Sequence, residues 1–393
     1  YFENSWNFWV YPPPGEIFTQ SSADCPPSRV DDLLITNSWE EAEAKLASGG
    51  KVLFSPRNSD LDWTSPPLDV VPVFWNRQMG PAWGRMLGLW IDRRLGESKA
   101  AALMFFPTST SFDWQWAQLM QGTRAINLDR LPKELEPAVW AIDDWNRNYK
   151  LGLVFECVVG RGRLLVSAID VIRTSNANPV SSQFRNSIIY YAKSDCFHPN
   201  VAVPREALRS LFFDTRIMTK LQARATVGGE SAGVVIDGDP NTYLLVGHQK
   251  APARDQVDIV VNFPAPVQMA GVVLMPRQNQ REHEGEIREF SVQISDDGSL
   301  WSDVARGDLP STFDPKRIEF SRPVSARSLK LIALSGYGTD KTTSLAELAI
   351  MYAGPKLDDS GKPMEYQRSR SATPDIDEGP GGEKPKPSAS PRP

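Results

Sequence analysis

The stretch that decides the fold of the second half of the chain lies at residues 289–298 and reads Glu289-Phe290-Ser291-Val292-Gln293-Ile294-Ser295-Asp296-Asp297-Gly298. Polar and apolar side chains alternate through residues 289–294, as in a strand with one buried face, and Asp296-Asp297-Gly298 supplies a turn. Similar short alternating segments recur at residues 257–263, 270–275, 317–320, 328–333 and 347–352. This even spacing predicts an all-β sandwich or jelly roll over residues 221–354.

The first half alternates strand and helix instead. A short apolar strand is predicted at residues 33–36, Asn37 and Ser38 offer a helix N-cap, and Gly49-Gly50 ends the helix. The remaining elements are a helix at 40–47, strands at 52–55, 151–159 and 164–169, and connector helices at 181–193 and 205–212. A strand-helix-strand opening predicts a parallel α/β sheet, and the hairpin turning at residues 160–162 predicts an antiparallel edge.

Composition divides the chain of 393 residues into five segments. The aromatic residues 1–14 are interpreted as the terminal strand of a missing upstream β domain. Residues 15–175 are the α/β domain, residues 176–220 a helical connector and residues 221–354 the β-sandwich. The Pro-rich residues 355–393 have too little apolar surface to offset their chain entropy, so a disordered tail is predicted.

Charge and cysteine content exclude several classes of protein. The formal net charge of −5 opposes nucleic-acid binding, and no apolar run approaches the roughly 20 residues of a membrane-spanning helix. The cysteines, Cys25, Cys157 and Cys196, are far apart in sequence. That spacing argues against a disulfide scaffold and against a CxxC zinc site.

No catalytic residue is assigned. A nucleophilic cysteine or serine needs a histidine base, and residues 1–197 contain no histidine. A hydrolase with its site in the α/β domain would therefore require His198 to meet Cys157, which sits in an apolar strand. The tryptophans Trp75, Trp83, Trp90, Trp114 and Trp116 could form a sugar platform, although core packing is the favoured interpretation.

The first two hundred residues resemble the C-terminal part of family 2 glycoside hydrolases, the β-galactosidase and β-glucuronidase class. The matching stretches are Asn4-Ser5-Trp6-Asn7-Phe8-Trp9-Val10-Tyr11-Pro12, Gly49-Gly50-Lys51-Val52-Leu53, Pro72-Val73-Phe74-Trp75-Asn76, Phe106-Pro107-Thr108, Trp114-Gln115-Trp116 and Lys150-Leu151-Gly152-Leu153-Val154-Phe155-Glu156. The resemblance implies a glutamine-amidotransferase-like α/β domain that lacks catalytic residues. Such enzymes carry their acid/base glutamate in an Asn-Glu dipeptide, which this sequence does not contain, so the catalytic barrel is expected upstream.

Residues 221–354 resemble the F5/8 type C (discoidin) module, which includes family 32 carbohydrate-binding modules. The blocks are Ile236-Asp237-Gly238-Asp239-Pro240-Asn241-Thr242, Gly271-Val272-Val273-Leu274-Met275-Pro276-Arg277-Gln278, Val292-Gln293-Ile294-Ser295-Asp296-Asp297-Gly298-Ser299-Leu300-Trp301 and Leu345-Ala346-Glu347-Leu348. The resemblance implies an eight-stranded jelly-roll sandwich. It also implies a structural Ca²⁺ held by Asp237, Asp239, Thr242 and Glu347, although Asp-Gly-Asp-Pro-Asn could also be merely a turn.

A carbohydrate site is expected at the loops of this sandwich. Polar groups would bind sugar hydroxyls and an aromatic ring would stack on the pyranose. The candidates are His248, Arg277, Asn279 and Arg281, with Tyr337 as the stacking ring, whereas His283 is expected to be solvated.

The two resemblances together imply the non-catalytic, carbohydrate-binding C-terminal region of a secreted or periplasmic bacterial glycoside hydrolase acting on β-glycosides. The expected partners are a β-galactoside or related glycan and the upstream catalytic domains of the same protein. Two alternatives stay open. One is a discoidin-type protein-binding or cell-surface adhesion module, and the other is a hydrolase with its site in the α/β domain.

Overall fold

The computed structural model describes residues 3, 8–11, 25–29, 32–68, 88–91, 100–109, 113–143, 148–173, 178–247, 256–278, 283–338, 342–358 and 360–363. Tyr1–Gly354 belong to one compact unit and Pro355–Pro393 to a second.

A seven-stranded mixed sheet organises the first half. Its strands are β1 (Leu33–Thr36), β2 (Lys51–Phe54), β3 (Gly88–Ile91), β4 (Ile126–Asn127), β5 (Val139–Ile142), β6 (Lys150–Val159) and β7 (Gly162–Ser167). They lie in the order β1-β2-β7-β6-β5-β3, with β4 beside β6. The helices of this half and its connector are α1 (Trp39–Ala47), α2 (Trp114–Met120), α3 (Pro179–Lys193), α4 (Arg205–Arg209) and α5 (Ile217–Lys220).

The predicted β1-α1-β2 opening is confirmed. Ser38 caps α1 by accepting a hydrogen bond from the backbone N–H of Glu41, and β1 and β2 pair in parallel. The position predicted for the β6-β7 hairpin is wrong. The hairpin occupies the middle of the sheet, because β7 pairs in parallel with β2 while β6 pairs with β5 on its other side. In the part of the sheet that the structure describes, parallel pairing is therefore confined to β1, β2 and β7.

Close packing of α1 on the sheet depends on Gly162 at the start of β7. A Cβ atom there would lie 2.7 Å from both the Cα and the carbonyl oxygen of Leu46, which are backbone atoms of α1. We expect Gly162→Ala to lower the free energy of unfolding by about 1–3 kcal/mol, because the helix must move. Urea denaturation measures this. Gly160→Ala is the control, since that site has open space and a φ of +60°, so only backbone strain of about 1 kcal/mol is expected. Equal effects of the two changes would contradict the packing argument.

The aromatic N-terminal segment packs on its own α/β domain. Trp9 contacts Trp114 with ring centroids 5.8 Å apart, Tyr11 stacks on Phe106 at 6.3 Å, and the Tyr11 hydroxyl donates to Gln115 Oε1. Residues 8–11 are not in a strand. The terminal strand of an upstream domain stays a prediction, because its sheet partner would lie outside this chain, and most of the rest of residues 1–14 lies outside the described part of the chain.

The indole of Trp116 belongs to the core rather than to a sugar platform. Its side chain is fully buried, and its Nε1 donates to Thr108 Oγ1 at 2.8 Å. Trp75 and Trp83, and the side chain of Trp90, lie outside the described residues.

A single disulfide joins Cys25 to Cys196 across 171 positions of sequence. The bond is one bridge and not a disulfide scaffold. The wide spacing of the cysteines in sequence did not indicate this bond, because residues far apart in sequence can be neighbours in the fold. Around the bridge, the backbone N–H of Ser28 donates to the Lys193 carbonyl at 2.9 Å and that of Asp195 to the Pro26 carbonyl at 3.0 Å. Residues 25–28 are thereby attached to the end of α3.

The second half is all-β, as predicted. Its strands are β8 (Arg224–Val227), β9 (Glu230–Ser231), β10 (Leu244–Gly247), β11 (Val257–Met275), β12 (Glu289–Ser295), β13 (Ser302–Asp308), β14 (Lys316–Ala333), β15 (Thr342–Leu345) and β16 (Glu347–Tyr352). One sheet has the order β13-β12-β14-β11-β8-β9 with β16 beside β11, and β10 pairs with β15. The described part of the chain thus contains nine strands here rather than eight.

The C-terminal unit begins with a short turn. Leu357 and Pro363 form an isolated antiparallel bridge, and Asp358 Oδ1 accepts hydrogen bonds from the backbone of Ser360 and Lys362. The disordered tail over residues 355–393 stays a prediction, and residues 355–358 and 360–363 are the part of it that the structure describes. Residues 364–393 lie outside them.

Candidate functional site

The segment Asp237–Thr242 folds by local hydrogen bonds before β10 begins. The Asp237 carboxylate accepts from the Asp239 N–H at 2.8 Å, and the Asp239 carboxylate accepts from the Asn241 N–H at 3.0 Å. Gly238 has a φ of +83°, in the left-handed region that glycine adopts without strain. The stretch therefore forms a turn, which was one of the two interpretations of its sequence. The turn also brings several oxygen atoms close together.

Oxygen atoms gather around the Thr242 hydroxyl. Thr242 Oγ1 lies 2.9 Å from Asp237 Oδ2, 3.0 Å from the Asp239 carbonyl and 3.2 Å from the Val234 carbonyl. Glu347, the first residue of β16, approaches from the other side with its carboxyl beside Asp237 and the backbone N–H of Gly238. The distant glutamate and the turn thus meet, as the resemblance implied.

Glu347 is buried without enough partners for an ionised carboxylate. It is 1% exposed, and its Oε1 makes no hydrogen bond. Burial, together with the neighbouring Asp237 and Asp239, raises the pKa of Glu347 to about 10. A proton or a cation must therefore accompany this side chain at neutral pH.

The donor set fits Ca²⁺. Carboxylate, hydroxyl and carbonyl oxygens are the ligands this ion prefers, and the orphaned Glu347 Oε1 points to a missing partner. Within the described ranges, no group of three or more His, Cys, Asp or Glu side chains is arranged as a metal centre. A Ca²⁺ ion at this turn would therefore need the Thr242 hydroxyl and carbonyl oxygens as ligands as well as the carboxylates.

The α/β half supplies a buried cation near this turn. The Arg124 guanidinium donates through Nε to the Ser65 carbonyl at 2.6 Å. Its burial lowers the pKa of Arg124, while the charges of Asp62, Asp239 and Glu347 act to raise it. A Cβ atom on Gly238 would lie 2.9 Å from the Thr215 carbonyl of the connector. The oxygen cluster therefore lies next to the first half of the molecule, with Asp237 exposed to solvent.

Arg277 forms a pair with a tyrosine that sequence reasoning did not select. Its guanidinium carbon lies 4.2 Å from the centroid of the Tyr243 ring, and its Nη2 donates to the Tyr243 hydroxyl at 3.2 Å. Tyr243 directly follows Thr242 of the oxygen cluster, so the turn also positions this ring. An aromatic residue next to the predicted ligand turn was the signal that could have identified it.

Tyr337 is half-buried and anchored. Its hydroxyl donates to the Leu309 carbonyl at 2.7 Å, and the Arg288 guanidinium lies 5.9 Å from the ring centroid. The ring is therefore fixed in place by its polar end, which is compatible with stacking through the part that stays exposed.

Three of the predicted sugar-binding residues, His248, Asn279 and Arg281, lie outside the described residues. Among the described residues near them, Gly247 pairs with Thr342, and a Cβ on Gly338 would lie 3.1 Å from Glu284 Cα.

His283 is not the solvated residue that the sequence suggested. Its Nδ1 lies 2.8 Å from Glu286 Oε2, and its ring packs on Phe313 with centroids 4.3 Å apart. The run of charged residues around it concealed a buried partner, because Glu286 is only 3% exposed.

Cys157 and His198 do not form a catalytic pair. Cys157 is completely buried in β6, and that burial raises the pKa of its thiol, so the nucleophilic thiolate is disfavoured. His198 is exposed. A buried thiol and a solvent-facing imidazole cannot share a substrate.

Two family models match the chain. Residues 34–213 match a domain of unknown function, DUF8487. Residues 220–348 match the F5/8 type C domain. The F5/8 type C domain predicted from the sequence is confirmed. No curated protein matches the chain.

Several solved structures are similar to part of this chain. One is CpGH89CBM32-5 from Clostridium perfringens in complex with GalNAc-β-1,3-galactose, at 22% identity, covering 33% of this chain and 96% of that one with a TM-score of 0.30. Another is the family 32 module from C. perfringens NanJ in complex with galactose, at 21% identity, covering 33% and 94% with a TM-score of 0.29. A third is the C-terminal domain of a chitobiase from Bacteroides fragilis, at 20% identity, covering 33% and 89% with a TM-score of 0.28.

Among the described residues, no helix is both long enough and apolar enough to cross a membrane.

Proposed function

We propose that the F5/8 type C domain binds carbohydrate and serves as a non-catalytic accessory module. The observation that carries this proposal is the Arg277–Tyr243 pair, which is built on the predicted sugar-binding arginine of a domain that matches the F5/8 type C class. A planar guanidinium offers several N–H donors to vicinal hydroxyls, and stacking on a ring holds it at a fixed angle. Tyr337 supplies a second anchored ring for the apolar face of a pyranose.

Ca²⁺ is proposed as a structural ion of this domain. Asp237, Asp239, Thr242 and Glu347 would hold it through carboxylate, hydroxyl and carbonyl oxygens. When bound, the ion would neutralise the buried carboxylates and stiffen the turn. Because Tyr243 follows that turn, its ring would then present Arg277 in one orientation.

The remaining part of the proposal concerns the parent protein. We infer an exported bacterial glycoside hydrolase of family 2 type that acts on β-glycosides, whose upstream catalytic domains are the partners of this region. The α/β half would be its amidotransferase-like scaffold. The Cys25–Cys196 bridge supports export, because such bonds persist in oxidising compartments.

Calorimetric titration of the full chain tests the proposed function and makes our first binding prediction. Methyl β-galactoside, N-acetylgalactosamine and glucuronate are the probes, each with and without Ca²⁺. We expect saturable binding of at least one sugar, and Arg277→Ala should weaken it about tenfold or more, equivalent to ~1.4 kcal/mol. Tyr243→Phe keeps the ring but loses the hydroxyl, so a smaller effect is expected.

The matched control is Arg322→Ala, an exposed arginine in β14. It should leave the affinity unchanged. A correctly folded protein that gives no heat with any glycan would overturn the carbohydrate proposal and favour the protein-docking alternative. Equal losses of sugar affinity in Arg277→Ala and Arg322→Ala would mean that the loss comes from the change in net charge and not from the Arg277–Tyr243 pair.

A further inference from the structure

His283 is fixed in a conformation that few residues adopt. Its φ is +52°, in the left-handed region that is uncommon for residues other than glycine. Such backbone strain persists only where the surroundings impose it, and it gathers at binding sites. Here the surroundings are the Glu286 carboxylate on one ring nitrogen and the face of Phe313.

The carboxylate that holds His283 does not need the imidazole for its own charge balance. Glu286 Oε1 lies 3.4 Å from Lys316 Nζ, and Ser311 Oγ donates to Glu286 Oε2 at 3.1 Å. Lys316 is itself buried and donates to the Thr312 and Asp314 carbonyls. Lys316 therefore balances the charge of Glu286 without the histidine, while Glu286 Oε1 makes no hydrogen bond.

The contact with Glu286 also determines which nitrogen can meet a ligand. A carboxylate accepts a hydrogen bond from Nδ1–H, so the neutral imidazole has its free lone pair on Nε2. No described residue forms a hydrogen bond with that Nε2, and 21% of the side chain is exposed. The result is an oriented hydrogen-bond acceptor at the surface.

Hydrogen bonds and one ring contact connect the segment around His283 to the segments that carry both described members of the candidate sugar site. The Gly285 N–H donates to the Tyr337 carbonyl and the Tyr337 N–H donates to the Glu286 carbonyl, each at 2.8 Å. On the other side, Gln278 Nε2 donates to the Phe313 carbonyl at 2.9 Å, and Gln278 is the next residue after Arg277. His283 is thus linked to the Tyr337 backbone on one side and, through Phe313, to the Arg277 segment on the other.

We propose that His283 is a carbohydrate-binding residue whose Nε2 accepts a hydrogen bond from a sugar hydroxyl, with Glu286 positioning the ring from below. The proposal rests on the proposed carbohydrate-binding function and names a residue that does the binding. It adds an acceptor to a site whose other described polar candidate, Arg277, can only donate.

Titration of the full chain with the three sugars named above tests the proposal. His283→Ala and His283→Gln should each weaken the affinity for the bound sugar about tenfold or more, with a melting temperature within about 2 °C of the parent protein. His198→Ala, which changes an exposed histidine of the first half, should have no effect.

An ¹⁵N NMR spectrum of the imidazole gives a readout that needs no change at His283. We expect the Nδ1–H tautomer in the free protein, a shift of the Nε2 resonance on saturation with sugar, and loss of the tautomer preference in Glu286→Gln. Unchanged affinity in both His283 variants, or an Nε2 resonance that does not respond to a bound sugar, would overturn the inference and leave the proposed function standing. If the parent protein binds no sugar, both fall together.

Discussion

Replacing Glu347 by glutamine should stabilise the metal-free protein and abolish its stabilisation by Ca²⁺. The carboxyl group is ionised in the unfolded chain above its ordinary pKa of 4.5, whereas the folded chain raises that pKa to about 10. Between these values folding takes up a proton, so the stability of the metal-free protein falls as pH rises. At pH 7 the loss is on the order of 3 kcal/mol relative to acid conditions.

Glutamine mimics the protonated carboxyl at this position. Its amide can donate to the Asp237 carboxylate as the carboxylic acid does, and it brings no charge into a buried site. In EDTA at pH 7, Glu347→Gln should therefore be more stable than the parent protein by up to that amount, and its stability should change less between pH 5 and pH 9.

Addition of Ca²⁺ should reverse the order of stability. The parent protein gains about 4.1 kcal/mol at a Ca²⁺ concentration one thousand times the dissociation constant, whereas the variant lacks the closing carboxylate and gains little. Urea denaturation with EDTA or Ca²⁺ measures all four values. Glu230→Gln, an exposed change in β9, is the control and should leave them unaltered.

Two results would contradict this account. A loss of several kcal/mol in Glu347→Gln without metal would mean that the carboxylate is ionised and paired in the folded protein. Equal stabilisation of both proteins by Ca²⁺ would place the ion elsewhere.

Local sequence predicted the elements whose causes are local. Ser38 followed by Glu40 and Glu41 predicted the start of α1, and the Asp-Gly-Asp turn predicted one half of the oxygen cluster. Glu347 was found only through the resemblance, because nothing near it in sequence indicates that it faces a turn more than one hundred residues earlier.

Elements set by tertiary pairing were harder to predict. Residues 257–263 and 270–275 read as two strands because Pro264 and Pro266 interrupt the alternation. The structure continues them as the single strand β11, since register shifts after Asn262 and after Met269 absorb the irregular residues while β14 follows alongside. The central position of the β6-β7 hairpin was missed for a similar reason. The order of strands in a sheet depends on tertiary pairing, here of β7 with β2 and of β6 with β5, and not on the residue pattern of each strand.

The candidate sugar site divides in the same way. Arg277 could be selected because it lies within a recognisable block. Tyr243 could have been selected as an aromatic residue next to the predicted turn, whereas the contacts of His283 and Glu286 involve Phe313, Ser311 and Lys316, which are far away in sequence. Polar residues in a charged run are usually solvated. His283 differs because its partner Glu286 is buried by the segment from Ser311 to Lys316.

Breaking the Cys25–Cys196 bridge should lower the free energy of unfolding by about 2–4 kcal/mol. The bond closes a span of 171 residues, so it removes many conformations from the unfolded chain. Native contacts also depend on it: the Tyr190 hydroxyl donates to the Cys25 carbonyl at 2.9 Å, and Pro27 bridges Ser194. The double change Cys25→Ser/Cys196→Ser, compared with the parent protein in urea, measures the effect.

Reductant supplies the matched control, because it should destabilise the parent protein and leave the double variant unchanged. Thiol titration of denatured protein then reports the compartment. Material exported to an oxidising compartment should show one thiol, that of Cys157, which the folded protein buries completely, whereas material retained in a reducing cytosol should show three. A parent protein whose stability does not respond to reductant would show that the bond contributes nothing. Three thiols in exported material would mean that the Cys25–Cys196 bond does not form in an oxidising compartment. The bond could then no longer support the proposal that the protein is exported.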